Sequence, residues 1–158
     1  MEKKTKTLRR VSQEELDVML DKHQLWFSDR EKYERVDFSN RDYSGLDFRG
    51  RNLSCANLSY ANLTGTNLSV ANLTSVDLSH ANLIRAFLYN ADLSGANLES
   101  AKLYRADLYF TDLSDANLES ANLTWANLYE ANLTWANLYE ANLTCANLYR
   151  ANLAGTMF

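Results

Sequence analysis

One interval governs this chain. From Val36 onward a large apolar residue recurs at every fifth position, from Phe38, Tyr43 and Phe48 through Leu53, Leu58 and Leu63 to Leu153 and Phe158, with no slip of register. Of these 25 positions, 21 are Leu and four are aromatic. Two residues before each lies a smaller site, Ala in 17 cases, with Val36, Leu46, Thr66, Val76, Thr111 and Thr156 among the departures. Five α-helical residues turn through about 140°, which would scatter the leucines around the cylinder. An unbroken strand alternates faces, so an odd spacing would send successive leucines to opposite sides. Ala-x-Leu, by contrast, shares one face in extended backbone. The chain must run straight for a few residues, bend, and repeat. The expected fold is an all-β polygonal solenoid with the Leu and Ala columns inside.

The corners can be placed. Gly45, Gly50, Gly65, Gly95 and Gly155, all the glycines of the chain, fall two residues after the large apolar site, and Asn40, Asn90, Asp115 and several Ser share that slot. Glycine and short polar residues suit a bend with unusual backbone angles. Pro is absent, which keeps every backbone N–H free for bonding between coils. From about residue 89 a ten-residue super-period appears, as in NLTWANLYEANLTWANLYEA, and Tyr89, Tyr109, Tyr129 and Tyr149 recur every twenty. Like-over-like stacking at twenty predicts a four-sided coil. A three-sided coil would put Tyr over Thr or Ser.

The motif A(N/D)LXX, carried by ANLSY at 56–60, ADLSG at 91–95 and ANLYR ending at Arg150, resembles the pentapeptide repeat family over residues 36–158. The resemblance implies a right-handed four-sided β-helix of about six coils, roughly 30 Å long at a strand spacing of about 4.8 Å. Residues 36–158 would then be one domain of 25 uninterrupted repeats, preceded by a tail and cap over 1–35. Ser12-Gln13-Glu14-Glu15 has the form of a capping box, and Val11 with Leu16 that of a hydrophobic staple. Leu16, Met19, Leu20, His23, Trp26 and Phe27 follow at helical spacing, predicting an α-helical cap over about 12–27 that covers the first coil. Its stretch DKHQLWF resembles a leader that precedes many pentapeptide arrays. Arg41 and Arg51 occupy nominal small sites in the first coil and are expected to turn outward, because an apolar interior rejects unpaired charge. At the other end, Thr156-Met157-Phe158 would leave an open sheet edge, a liability that proteins normally cover. Two outcomes stay open: pairing of C-terminal coils in a homodimer through Met157 and Phe158, as the family resemblance implies for some relatives, or simple fraying of the last coil.

Composition narrows the function. Sixteen Lys+Arg against twenty Asp+Glu give a net charge of −4, which argues against direct nucleic-acid binding or attachment to acidic membranes. No apolar run approaches the 18–20 residues or so of a membrane span. The opening MEKKTKTLRRVSQEELDVML has a basic stretch without the apolar core of a secretory signal, so a cytoplasmic location is expected. Cys55 and Cys145 lie several coils apart, beyond the Cα separation of about 7 Å that a disulfide spans; both are expected to be free thiols. His23 falls on the helix's apolar face, and His80 occupies a corner slot with no Cys or His at metal-ligand spacing. No phosphate loop or nucleophile motif is present. A Leu-filled rod offers no pocket, so no enzyme, cofactor or metal is expected.

Two surfaces remain. Stacking by twenty sets Glu99 over Glu119, with Asp77 and Glu140 on the same side, and Asp92 over Asp112. An acidic rod would suit a DNA mimic, and the family resemblance implies DNA gyrase as its partner, since quinolone-resistance members present such a rod to that enzyme. The other surface is aromatic. Tyr89, Tyr109, Tyr129 and Tyr149 should form an outward ladder flanked by Phe87 and Phe110. Trp125 follows Arg85 and Arg105 in one corner stack, where an Arg105–Trp125 cation–π contact is expected. Tyr, Trp and Arg together have the composition of a protein-binding hot spot. The expected function is therefore a rigid protein-binding scaffold with an unidentified protein partner, and the gyrase-directed DNA mimic is the alternative.

Overall fold

The computed structural model describes residues 7–158, so residues 1–6 of the expected tail lie outside the described residues. From Phe38 on, each five-residue unit makes one edge and one corner. In the unit beginning at Leu53, the Ala56 N–H donates to Leu53 O at 2.9 Å, and Cys55 between them has φ +57°. A positive φ at the third residue is the mark of a type II turn. The corner residues from Asn40 to Gly155 all adopt it, and their φ values fall between +51° and +73°. Five are the glycines; the rest accept a left-handed conformation costing of order 1 kcal/mol each.

Bonding between coils offsets that cost. Parallel bridges join residues twenty apart, from Asp37 with Asn57 to Asn137 with Met157. Each edge both gives and receives: the Leu53 N–H donates to Asn72 O at 2.8 Å, and the Asn72 N–H to Arg51 O at 3.0 Å. Twenty residues per stacking step and five per corner give four corners per coil.

The interior is the Leu and Ala columns. Phe38, Tyr43, Phe48 and every Leu from Leu53 to Leu138 are at most 2% exposed, as are the alanines facing them. Each buried Leu contributes about 1.5–3 kcal/mol. Thr66 and Thr111 fill Ala sites because each hydroxyl finds a carbonyl: Thr66 Oγ1 donates to Leu63 O and Thr111 Oγ1 to Leu88 O, both at 2.7 Å. In the last coil Leu143 and Leu148 are half-buried, and Met157 and Phe158 are exposed.

Before the first coil, strand β1 (Arg9–Arg10) pairs in parallel with β2 (Arg41–Asp42), extending one face by a rung. Helix α1 (Gln13–Ser28) follows. Ser12 caps it by accepting the Glu15 N–H at 3.1 Å. The reciprocal half of the capping box is replaced: the Glu15 carboxylate takes an ion pair with Arg9 at 2.8 Å, which outcompetes a neutral N–H. Val11, Leu16, Met19 and Leu20 are buried in the same core as Phe38, Tyr43 and Phe48. The apolar stripe ends earlier than its sequence suggests, with Trp26 half-buried and Phe27 exposed. Polar contacts seat the helix on the first coil: Gln13 Oε1 accepts the Asp47 N–H at 2.9 Å, and Arg51 donates to Asp17 Oδ1 at 2.9 Å. Arg51 therefore does face outward, and Arg41 is half-buried near Glu15.

Candidate protein-docking face

The tyrosine ladder is built by the register. Each Tyr is the first corner residue after an inward-facing Leu, fully buried at Leu88, Leu108 and Leu128 and half-buried at Leu148, so the Leu anchors inward and the ring projects outward. Stacking at twenty superposes the rings: Tyr89 on Tyr109 with centroids 5.5 Å apart and planes 13° apart, Tyr109 on Tyr129 at 5.1 Å, and Tyr129 on Tyr149 at 5.6 Å. Phe110 turns against Tyr109 at 4.2 Å and 57°. Stacked cross-strand aromatics are worth about 0.2–1 kcal/mol per pair, so the ladder is fixed before any partner arrives. Tyr89, Phe110 and Tyr149 are exposed, and Tyr109 and Tyr129 half-buried. Desolvation among these rings, then the Glu130 carboxylate, pushes the Tyr109 phenol above its ordinary value. At the ladder's end, Arg150 Nη1 donates to Glu130 Oε1 at 3.1 Å, and its guanidinium carbon lies 5.4 Å from the Tyr149 ring centre.

The other expected members are placed differently. Phe87 is exposed but stacks on no ring among the described residues; it borders a shallow cleft of about 410 Å³ with Gly45, Leu46 and Gly65. Trp125 stands exposed in the adjoining corner stack, but the Arg105 guanidinium lies over Tyr104 instead, 5.3 Å from its centre. The in-coil neighbour has displaced the expected Arg105–Trp125 contact, because one residue of separation across a turn leaves less gap than a whole coil. Sequence reasoning missed two further aromatic positions. Trp135 is exposed at a corner and covers Gly155, where a Cβ would overlap its ring. Tyr60 and His80 stack at 4.6 Å and 19°. Both follow from the twenty-residue register, which pairs position 135 with 155 and 60 with 80.

The acidic positions are not uniformly free. Asp92 is stacked on Asp112 by the register. Burial acts to raise the Asp92 carboxyl, yet hydrogen bonds from Ser94 and Thr74 outweigh it and hold the group below its ordinary range. Glu119 Oε2 accepts from Asn137 at 3.3 Å, and Glu140 Oε2 from Ser120 Oγ at 3.5 Å. Among the described residues no group of three or more His, Cys, Asp or Glu could hold a metal ion. Cys55 is half-buried and Cys145 exposed, both as free thiols. His23 is fully buried, its Nε2 3.1 Å from Ser54 O, and desolvation lowers its pKa. No helix of the described residues is long and apolar enough to cross a membrane.

The family model for pentapeptide repeats matches in eight copies, over residues 34–69, 71–108, 106–144 and 131–158. The chain belongs to the pentapeptide repeat family. Membership makes the solenoid a right-handed β-helix. Among solved pentapeptide repeat proteins, HetL from the cyanobacterium Nostoc sp. strain PCC 7120, involved in heterocyst differentiation regulation, is 31% identical. That alignment covers 78% of this chain and 73% of HetL, with a TM-score of 0.35. Rfr23 from the cyanobacterium Cyanothece 51142 is 36% identical over 68% of this chain and 64% of its own, with a TM-score of 0.38. A trypsin-treated form of QnrB1, a plasmid-mediated fluoroquinolone resistance protein, is 21% identical over 73% of this chain and 64% of its own, with a TM-score of 0.57; that likeness is one of fold. No curated protein sequence matches this pentapeptide repeat protein.

Proposed function

We propose that this pentapeptide repeat protein is a non-enzymatic, rigid protein-binding scaffold of the cytoplasm. It is a rod of about six coils, capped at one end by α1, that displays the tyrosine ladder to a protein partner. The observation that supports this reading is the ladder itself: four tyrosines held in register at 5.1–5.6 Å on an all-β frame. Rigid amphipathic rings lose little conformational entropy on binding, which is why Tyr and Trp dominate interface hot spots. The test replaces Tyr109, Tyr129 and Trp125 with Ser, a residue native to the same slots elsewhere in the chain. Circular dichroism should stay unchanged and partner recovery in affinity capture should be lost. Recovery of the same partners by the variant refutes the reading.

The alternative is a DNA mimic acting on DNA gyrase. The fold likeness to QnrB1 favours it, together with the superposed Asp92 and Asp112. Gyrase supercoiling with and without a quinolone decides it; no effect at micromolar protein removes this reading. Self-association through Met157 and Phe158, both exposed, is a separate proposal. Sedimentation of Phe158→Glu tests it, and an unchanged mass means that the last coil is not the contact.

A further inference from the structure

Charge is segregated by face. Beyond the first coil, residues 52–158 hold four cations, Arg85, Lys102, Arg105 and Arg150, against nine carboxylates. Arg150 is spent on Glu130. The other three fall on one side of the rod, in the stacked units 61–65, 81–85, 101–105, 121–125 and 141–145. Those units read ANLTG, ANLIR, AKLYR, ANLTW and ANLTC, without a single Asp or Glu. All nine carboxylates lie in units of the other three faces. The register places Arg85 one coil from Arg105 in the same corner stack, and Lys102 at the head of the unit that ends in Arg105; Asn82, Lys102 and Asn122 bridge in succession. All three cations are exposed, and none has an ion-pair partner among the described residues. Half-buried Tyr104 lies under Arg105, and exposed Trp125 is next in the stack.

We propose that this face is an anion-docking strip that takes a short acidic segment of a partner polypeptide, with carboxylates on Arg85, Lys102 and Arg105 and an aromatic side chain on Trp125. The inference rests on the scaffold reading and adds the partner's chemistry to it. Charge complementarity selects the occupant. Cationic side chains one coil apart, about 4.8 Å at the backbone, match two or three carboxylates on a peptide. A nucleic acid matches poorly: three cations on the strip, beside nine carboxylates on the other faces, are too few to hold a continuous run of phosphates. Carboxylates on the flanking faces also repel an acidic segment that drifts off the strip, which fixes its position.

The experiment is fluorescence anisotropy on the full chain with three labelled probes: a dodecapeptide alternating Glu with Ser and ending in Trp, the same peptide with Gln for Glu, and a single-stranded oligonucleotide. The Glu peptide should bind, weakening as salt rises from about 50 to 500 mM, and the Gln peptide should not. The variant Arg85→Ser/Lys102→Asn/Arg105→Ser should bind the Glu peptide about tenfold more weakly, the combined effect of three exposed charge contacts. Its substitutions are native to those slots, since Ser75 and Ser100 are corner residues at φ +53° and +55° and Asn fills most positions equivalent to Lys102. Equal binding of the Glu and Gln peptides, an unaffected triple variant, or tighter binding of the oligonucleotide overturns the proposal. Tyr109→Ser/Tyr129→Ser should leave peptide affinity within about twofold, as neither ring lies on the strip. If that variant loses its partner in affinity capture while the Glu peptide shows no charge-dependent binding, this inference fails and the scaffold reading stands.

Discussion

Asn127 Nδ2 donates to Asp107 Oδ1, one coil earlier, at 2.9 Å. Asn147 Nδ2 in turn donates to Asn127 Oδ1 at 3.1 Å, so the amides form a ladder with one polarity. Every donor points toward the N-terminal end. The same holds for Asn82 to Asn62 to Asp42 and for Asn137 to Asn117 to Asn97 to Asp77. Each ladder ends on an aspartate because a carboxylate accepts and cannot donate.

Polarity makes Asn and Asp non-equivalent within one slot. Asn127→Asp removes the donor to Asp107 and sets two carboxylates a coil apart, so stability should fall by about 1 kcal/mol at pH 7. Asp107→Asn keeps an acceptor beneath Asn127 and should stay within about 0.5 kcal/mol of wild type. Urea unfolding followed by circular dichroism checks both. Equal losses for the two variants would show that the ladder has no direction.

That ladder also marks what the sequence hides. Corners were legible because glycine betrays a left-handed φ, and Gly45 and Gly95 lie where their slot places them. The core was legible because burial leaves only Leu and Ala as recurring choices. Asn127 and Asp107, however, both satisfy a local role as well, accepting the backbone N–H of Tyr129 and Tyr109 at 3.3 and 3.4 Å. Their shared slot is explained without reference to the next coil, so the inter-coil bond leaves only a faint trace in which of the two sits below. Arg105 is the opposite case. The twenty-residue register correctly stacked it with Trp125, but side-chain choice between an in-coil and an inter-coil ring is decided by reach, which spacing does not encode. Arg9 capturing Glu15 is likewise set by β1, whose two residues are too few to carry a pattern.

Tyr43 is fully buried among Phe38 and Phe48, and its hydroxyl has no hydrogen-bond partner among the described residues. Burial pushes its phenol far above the ordinary value. An unsatisfied buried hydroxyl costs about 1–3 kcal/mol. Tyr43→Phe keeps the ring and removes that cost, so it should raise stability by about 1 kcal/mol, or roughly 2–4 °C in Tm for a chain of this size. A fall in the thermal midpoint would mean that the hydroxyl is hydrogen-bonded, through an ordered water bridging it to the first coil.

Val70 is a β-branched residue at φ +60° with half its surface exposed. Branching at Cβ makes the left-handed region especially unfavourable, while Asn90, one coil further on, occupies the same slot at φ +51°. Val70→Asn should therefore gain about 0.5–1 kcal/mol, since the relief of strain exceeds the half-buried apolar surface lost. Chemical denaturation with an unchanged m-value checks it. A loss instead would show that Val70 is held by packing along its face.

His23 links the first coil to pH. Its Nε2 donates to Ser54 O at 3.1 Å, Nδ1 is buried without a partner among the described residues, and the ring meets Phe38 edge-on at 5.5 Å. Desolvation is the main cause of its lowered pKa; the Ser54 bond opposes it and Arg35 adds to it. In the unfolded chain the imidazole titrates near 6.5, so below that pH the unfolded state binds the proton first. The stabilisation is thus complete above about pH 6.5 and declines as pH falls toward the lowered folded value. Helix α1 rests on this ring, and the first coil should loosen with it. Urea midpoints at pH 7.5, 6 and 5 should fall in that order. His23→Leu, which has no group to titrate there, should flatten the dependence across this interval. An equal slope in the variant would show that the imidazole is not the source of the pH dependence.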